Sequence, residues 1–158
     1  MANTQSMCTS FMGELLTATH NFGTAPIRAA STADTFRGAL YLASATINAS
    51  TTVYSATGEV SGAGYSAGGI VVTNATAPTA TNSSTTAGVA YWTPSASLTY
   101  TSVTLATAFD AVLIYNASQS NKAVSVHTFG SQTITAGTFT LTMPVNNTTT
   151  ALLRLATT

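Results

Sequence analysis

Two hydrophobic periods divide this chain. In residues 7–20 the apolar side chains Met7, Phe11, Met12, Leu15 and Leu16 recur at offsets of four, five, eight and nine, which gathers them on one helical face. Asn21-Phe22-Gly23 follows, and a glycine just past the last turn supplies the left-handed conformation that ends helices. Gly13 inside the run costs about 1 kcal/mol relative to alanine, so the predicted helix needs a partner surface. That surface is either its own domain or a neighbouring subunit.

From Thr24 onward the period falls to two. Thr, Val, Tyr, Phe and Ile suit pleated, half-buried surfaces, and clusters of Gly, Asn, Ser and Pro punctuate them at short intervals. Strands are expected near 36–43, 51–55, 68–74, 88–93, 97–105, 109–115, 122–129, 131–135, 137–143 and 150–156. The near-continuous apolar run Phe109-Asp110-Ala111-Val112-Leu113-Ile114-Tyr115 marks a central strand covered on both faces. Val124 and Val126, then Phe139, Leu141 and Met143, alternate with polar residues as a strand with one buried face does. Residues 36–42 could open a second helix, but Gly38 and the closing aromatics favour a strand. The low-complexity stretch 73–88 is expected to be an exposed loop. The fold class that follows is mainly β: an antiparallel β-sandwich or jelly-roll-like barrel over 24–158, preceded by an N-terminal helical segment over 1–23.

Composition changes the picture more than any motif does. Only eight of 158 side chains carry a formal charge, four acidic and four basic, and the net charge is zero. Soluble domains carry about 25% charged residues, against 5% here, and neutrality favours association. Thr, Ser and Ala make up roughly half of the chain and interrupt every apolar run, so no membrane-spanning stretch forms. Most of the surface is therefore expected to be covered by other protein chains. Arg28, Arg37, Lys122 and Arg154 are the only fixed cations, too few for the phosphate-neutralising patch that nucleic-acid binding needs. The N-terminus lacks the basic start and apolar core of a secretory signal, which implies a protein made and kept in a cytosol until assembly or lysis.

Candidate chemistry is sparse. Cys8 is the single cysteine and reads as a buried thiol. His20 and His127 are accompanied by no nucleophile motif, and Glu14, Asp34, Glu59 and Asp110 stand singly. No catalytic, metal or cofactor site is expected. The Gly-rich run Gly58-Glu59-Val60-Ser61-Gly62-Ala63-Gly64-Tyr65-Ser66-Ala67-Gly68-Gly69 has the look of a phosphate loop, but Ala67 stands where a third glycine is needed and a strand follows. Tight turns explain it, with Tyr65 packing over the turn or against a neighbour. The Asn-x-Ser/Thr triplets arise freely in so Thr-rich a chain, and without a secretory signal they do not imply glycosylation.

Three segments in order carry a resemblance. They are the helix running into His20-Asn21-Phe22-Gly23, the Gly-rich run, and a C-terminal block. That block comprises Phe109 to Asn116, Lys122-Ala123-Val124-Ser125-Val126-His127-Thr128-Phe129-Gly130 and Gly137-Thr138-Phe139-Thr140-Leu141-Thr142-Met143-Pro144. Together they resemble small virion structural proteins of tailed bacteriophages, most of all capsid decoration (cement) proteins. The resemblance skips 73–88 and rests on turns and core strands. It implies a non-enzymatic protein on the outer capsid surface, bound to the major capsid protein and to itself, as a homotrimer.

The protein-interface candidates are Met7, Phe11, Met12, Leu15, Leu16, Tyr65 and Arg154, together with the Thr-rich end 146–158. Arg154, set among leucines, is expected at a strand edge or paired with a carboxylate. A tail adaptor, fibre or receptor-binding subunit is the alternative, with Tyr91, Trp92 and Tyr100 as receptor contacts and Trp92 equally readable as a core anchor. A carbohydrate-binding surface module is a third reading, and it would call for a secretion signal.

Overall fold

The structure is a computed structural model that describes residues 3–16, 19, 20, 22, 33–73, 77–81 and 88–156. In chain order the elements are β1 (Ser6–Met7), α1 (Thr9–Leu16), β2 (Phe36–Leu42), β3 (Ile70–Val71), β4 (Thr79–Ala80), β5 (Val89–Trp92), β6 (Leu98–Asn116), β7 (Lys122–Leu141) and β8 (Leu153–Ala156). The protein is mainly β, in two antiparallel sheets, consistent with a sandwich. One sheet runs β1-β7-β6-β2-β3 and the other β4-β5-β8.

The β6–β7 hairpin is the frame on which everything else rests. Its tip is a tight turn in which the Lys122 N–H donates to the Gln119 carbonyl (3.2 Å). Ser120 and Asn121 both take positive φ (53° and 59°), the twist that lets a short turn join two right-handed strands. The inner half of β6 is buried on both faces from Ala111 to Asn116, and it is central in its sheet because β2 pairs with it from Phe36↔Asn116 to Leu42↔Phe109 on one edge and β7 on the other. The central strand expected at 109–115 is there. Its outer half alternates, with Leu98, Tyr100, Val103 and Leu105 inward and Thr99 and Thr101 outward.

Five separate strands were expected between 97 and 143, and two form. The pairing shifts register between Leu105 and Phe109, between Phe109 and Ala111, and again around Val103. The predicted breaks at 106–108, 130 and 136 are thus β-bulges inside continuous strands. A bulge adds a residue, bends the strand and increases its twist, so the same small and polar residues that signal a turn are used here to coil one long ribbon. Strand 36–43 is found as β2 and 88–93 as β5. The expected strand at 51–55 is reduced to the single bridge Val53↔Lys122, and 68–74 to the two residues of β3. Conversely β4 lies inside the stretch taken for a loop.

The N-terminal helix over 7–20 is a correction. Ser6–Met7 is a strand paired to Val126 and Ser125 of β7, and the helical turns span only Thr9–Leu16. The backbone hydrogen bonds of β1 compete successfully for Met7 and start the helix later. Residues 17, 18 and 23, where the rest of that helix and its glycine stop were expected, lie outside the described residues, as do the side chains of Met12 and Leu16.

Trp92 joins the two sheets and is 2% exposed. Phe22 lies 4.8 Å from it and Phe36 of β2 6.2 Å, by ring centroids. Phe22 stacks on Phe36 at 4.4 Å, and Phe11 of α1 meets Phe22 edge-on at 5.8 Å. Aromatic rings in these arrangements contribute about 0.5–1.5 kcal/mol a pair beyond their burial. The core-anchor reading of Trp92 holds.

Candidate functional site

Five of the charged side chains do not stand singly. They converge in two internal networks, the first joining residues up to 108 positions apart and the second built within and around the Gly-rich run.

The first network pins the N-terminal segment to the hairpin turn. Lys122 Nζ donates to Glu14 Oε1 (2.6 Å), and Glu14 Oε2 lies 2.7 Å from His20 Nε2. On the other side of the ring, Asn116 Nδ2 lies 3.0 Å from His20 Nδ1 and also donates to Asp34 Oδ2 (2.8 Å). The Ser118 N–H donates to Asn116 Oδ1 (3.1 Å), which fixes the amide with its NH2 toward the ring. His20 Nδ1 is therefore an acceptor, and the imidazole is neutral with its proton on Nε2 toward Glu14. Burial favours the same form and holds the His20 pKa below its ordinary value. For Glu14, burial acts to raise the pKa, but hydrogen bonds from Lys122 and His20 outweigh it and lower the value.

The second network is built on Glu59, which is 9% exposed. Its Oε1 accepts from the Tyr65 hydroxyl (2.7 Å) and the Gly68 N–H (2.8 Å), and its Oε2 from the Tyr54 hydroxyl (2.6 Å). Tyr65 in turn accepts from the Leu40 N–H (3.0 Å). Arg37 donates to the carbonyls of Gly68 and Gly69, and Tyr115 to that of Gly68 (2.8 Å). Tyr65 stacks on Tyr100 and Tyr54 on Tyr115. The Gly-rich run is thus a set of turns clamped against β2 and β6, and no helix follows it. Glycine is required at three points of the run: a Cβ on Gly69 (φ +68°) would sit 1.7 Å from the Gly38 carbonyl oxygen, one on Gly62 1.9 Å from that of Thr104, and one on Gly64 (φ +76°) 2.1 Å from that of Ser102.

Asp110 accepts from Asn3 Nδ2 (2.6 Å). Glu14, Asp34, Arg37, Glu59, Asp110 and Lys122 are therefore all engaged inside the domain. Arg28 lies outside the described residues. Arg154 is exposed on β8, an edge strand of the small sheet, the strand-edge placement expected for it.

Of the apolar interface candidates whose side chains are described, Phe11 is buried and Met7 and Leu15 are half-buried. Met7, Phe11 and Leu15 line a pocket with Phe22, Trp92 and Leu153 whose volume is about 80 Å³. Ligand pockets run to about 300–1,000 Å³, so this is a gap in packing. Tyr65 is half-buried with its hydroxyl committed to Glu59. Cys8 is fully buried, and burial with the nearby Glu14 charge pushes its thiol up to about 11, as a structural thiol requires.

Ser125 Oγ and His127 Nε2 are 2.9 Å apart on β7. Burial pushes His127 down to about 4, and Ser125 is 1% exposed, so its hydroxyl is not presented to a substrate. No group of three metal-ligating side chains forms among the described residues, and no helix among them is long and apolar enough to cross a membrane. No family model matches the chain, and no match is found among curated proteins or solved structures.

Proposed function

We propose that this chain is a non-enzymatic structural protein of a phage-type virion, decorating the outer face of the capsid shell and bridging capsomers. Its partners are the major capsid protein and further copies of itself, as a homotrimer, on a sandwich-type or jelly-roll-like domain. One observation carries this reading: six of the eight charged side chains make internal hydrogen bonds, so the exposed positions among the described residues are mostly Ser, Thr, Ala, Gly and Asn. A coat of that kind has little to hold it apart from its neighbours. Contacts it makes with other chains contain few ion pairs and are little weakened by salt. Burial of about 1,000 Å² or more per copy, repeated over a shell, stabilises the assembly.

The tail adaptor, fibre or receptor-binding reading drew on Tyr91, Trp92 and Tyr100 as an exposed aromatic cluster. Trp92 and Tyr100 are buried, which favours the shell. An electron-microscopy map of the parent particle tests the proposal: density for this chain on the shell is expected, and quantitative gel staining should give hundreds of copies. A shell bare of this chain, or tens of copies confined to the tail, refutes it.

A further inference from the structure

Past β1, the outer edge of β7 is a long stretch of backbone that the described fold leaves without a partner strand. On its inner side β7 pairs with β6 as far as Leu98↔Leu141. On its outer side β1 meets only Val126 and Ser125, the Cys8 N–H donates to Val124, and Gln5 reaches Thr128. Beyond that, among the described residues, no strand pairs with 129–141. Residues 130–133 are exposed in succession, and successive strand residues point to opposite faces, so both faces are open there. Thr135, Ala136, Thr138 and Thr140 are exposed as well.

Sheet edges are ordinarily protected by charge, proline or a bulge. Residues 123–153 contain no Asp, Glu, Lys or Arg, and the first proline after Lys122 is Pro144. A bulge does occur, at Ala136 (φ 46°), but it bends the strand without covering it. Phe129 and Phe139 sit half-buried at this edge, packed on Phe109 at 5.9 and 5.1 Å, and a neighbouring strand would cover their open rims.

We propose that the edge of β7 over residues 129–141 pairs antiparallel with the same edge of a second copy, across a two-fold axis. Self-pairing sets each side chain against another from the same segment. A charged edge would repel itself, and this edge carries no charge to do so. A partner strand bearing charge would meet no counter-charge here. Antiparallel pairing over this length supplies roughly ten backbone hydrogen bonds, the number a typical protein interface carries. A two-fold contact also closes on itself and does not grow into a fibre. This two-fold contact is separate from the three-fold contacts of the trimer proposed above and does not depend on the shell reading, so either can fail alone.

Single-cysteine variants at Gln132, Thr133, Thr135, Thr138 and Thr140, oxidised in the full chain, test the contact, since Cys8 is buried and unreactive. Disulfide-linked dimers are expected to peak at one of these positions, next to the axis, and to fall away on either side. Equal cross-linking everywhere, or none above an exposed control such as Thr57→Cys, overturns the proposal. As a second measurement, Thr133→Lys with Thr138→Lys should raise the dimer dissociation constant roughly tenfold or more in sedimentation, with the far-ultraviolet circular dichroism unchanged. A wild-type chain that stays monomeric at high micromolar concentration, or a lysine variant that dimerises as before, also overturns it. Pairing with a different protein alone would leave the wild type monomeric and counts against the proposal.

Discussion

Replacing Glu59 by alanine removes one carboxylate from three donors at once, and the cost can be worked from the geometry. The Gly68 N–H is buried, and the Tyr65 hydroxyl is held between Glu59 and the Leu40 N–H. Each would be left without an acceptor at about 1–3 kcal/mol. Tyr54 is half-exposed and can turn to water, so its loss counts for little. The sum is about 4 kcal/mol, against a total stability of about 5–15 kcal/mol for a domain of ordinary size. Glu59→Gln keeps the volume and one acceptor oxygen but turns an NH2 toward donors, and should cost about half as much. Urea unfolding followed by circular dichroism gives both numbers. A second readout is independent of global stability. Burial first, and then hydrogen bonding to Glu59, holds the Tyr54 and Tyr65 hydroxyls above the ordinary tyrosine range, so Glu59→Ala should let tyrosinate absorbance appear at lower pH. If Glu59→Ala unfolds within about 1 kcal/mol of wild type, the network does not clamp the Gly-rich run and the reasoning is refuted.

The remaining predictions concern acid and backbone. Both histidines have folded pKa values below that of the unfolded chain, His127 at about 4, so their contribution is complete above about pH 6.5 and is lost as the pH falls below it. Glu14, also lowered, acts in the same sense as the pH drops through the ordinary carboxylate range. Urea midpoints should therefore fall steadily from pH 7 to pH 4, and His20→Gln should flatten the upper part of that slope. A flat profile in the wild type would contradict the neutral His20 assignment. Gly69→Ala should prevent the 58–69 turns from forming, since its Cβ would overlap the Gly38 carbonyl oxygen at 1.7 Å and its φ is strained for any other residue. A loss of more than about 3 kcal/mol, or no soluble protein, is expected, and a variant as stable as wild type would show that the turn lies elsewhere.

Local pattern was enough to find β2, β5 and the buried half of β6, because apolar runs of strand length with β-branched and aromatic residues have few other uses. It was enough for Trp92 as an anchor, for Cys8 as a buried thiol and for the Gly-rich run as turns. The difference between a break and a bulge was not local. Gly130 and Ala136 stop a strand or merely bend it according to whether a partner strand continues alongside, and β6 does continue.

The helix length was decided in the same way, by β7 capturing Ser6–Met7. The charge networks were least legible of all. Glu14 and Lys122 are separated by 108 positions, and Asp34 and Asn116 by 82, so no spacing rule could pair them. By itself the sequence determined that this protein is mainly β and nearly without charge, since composition and period are properties of the chain alone. Only the tertiary structure decided where those charges went, because hydrogen bonds between distant residues exist only after the strands that carry them have paired.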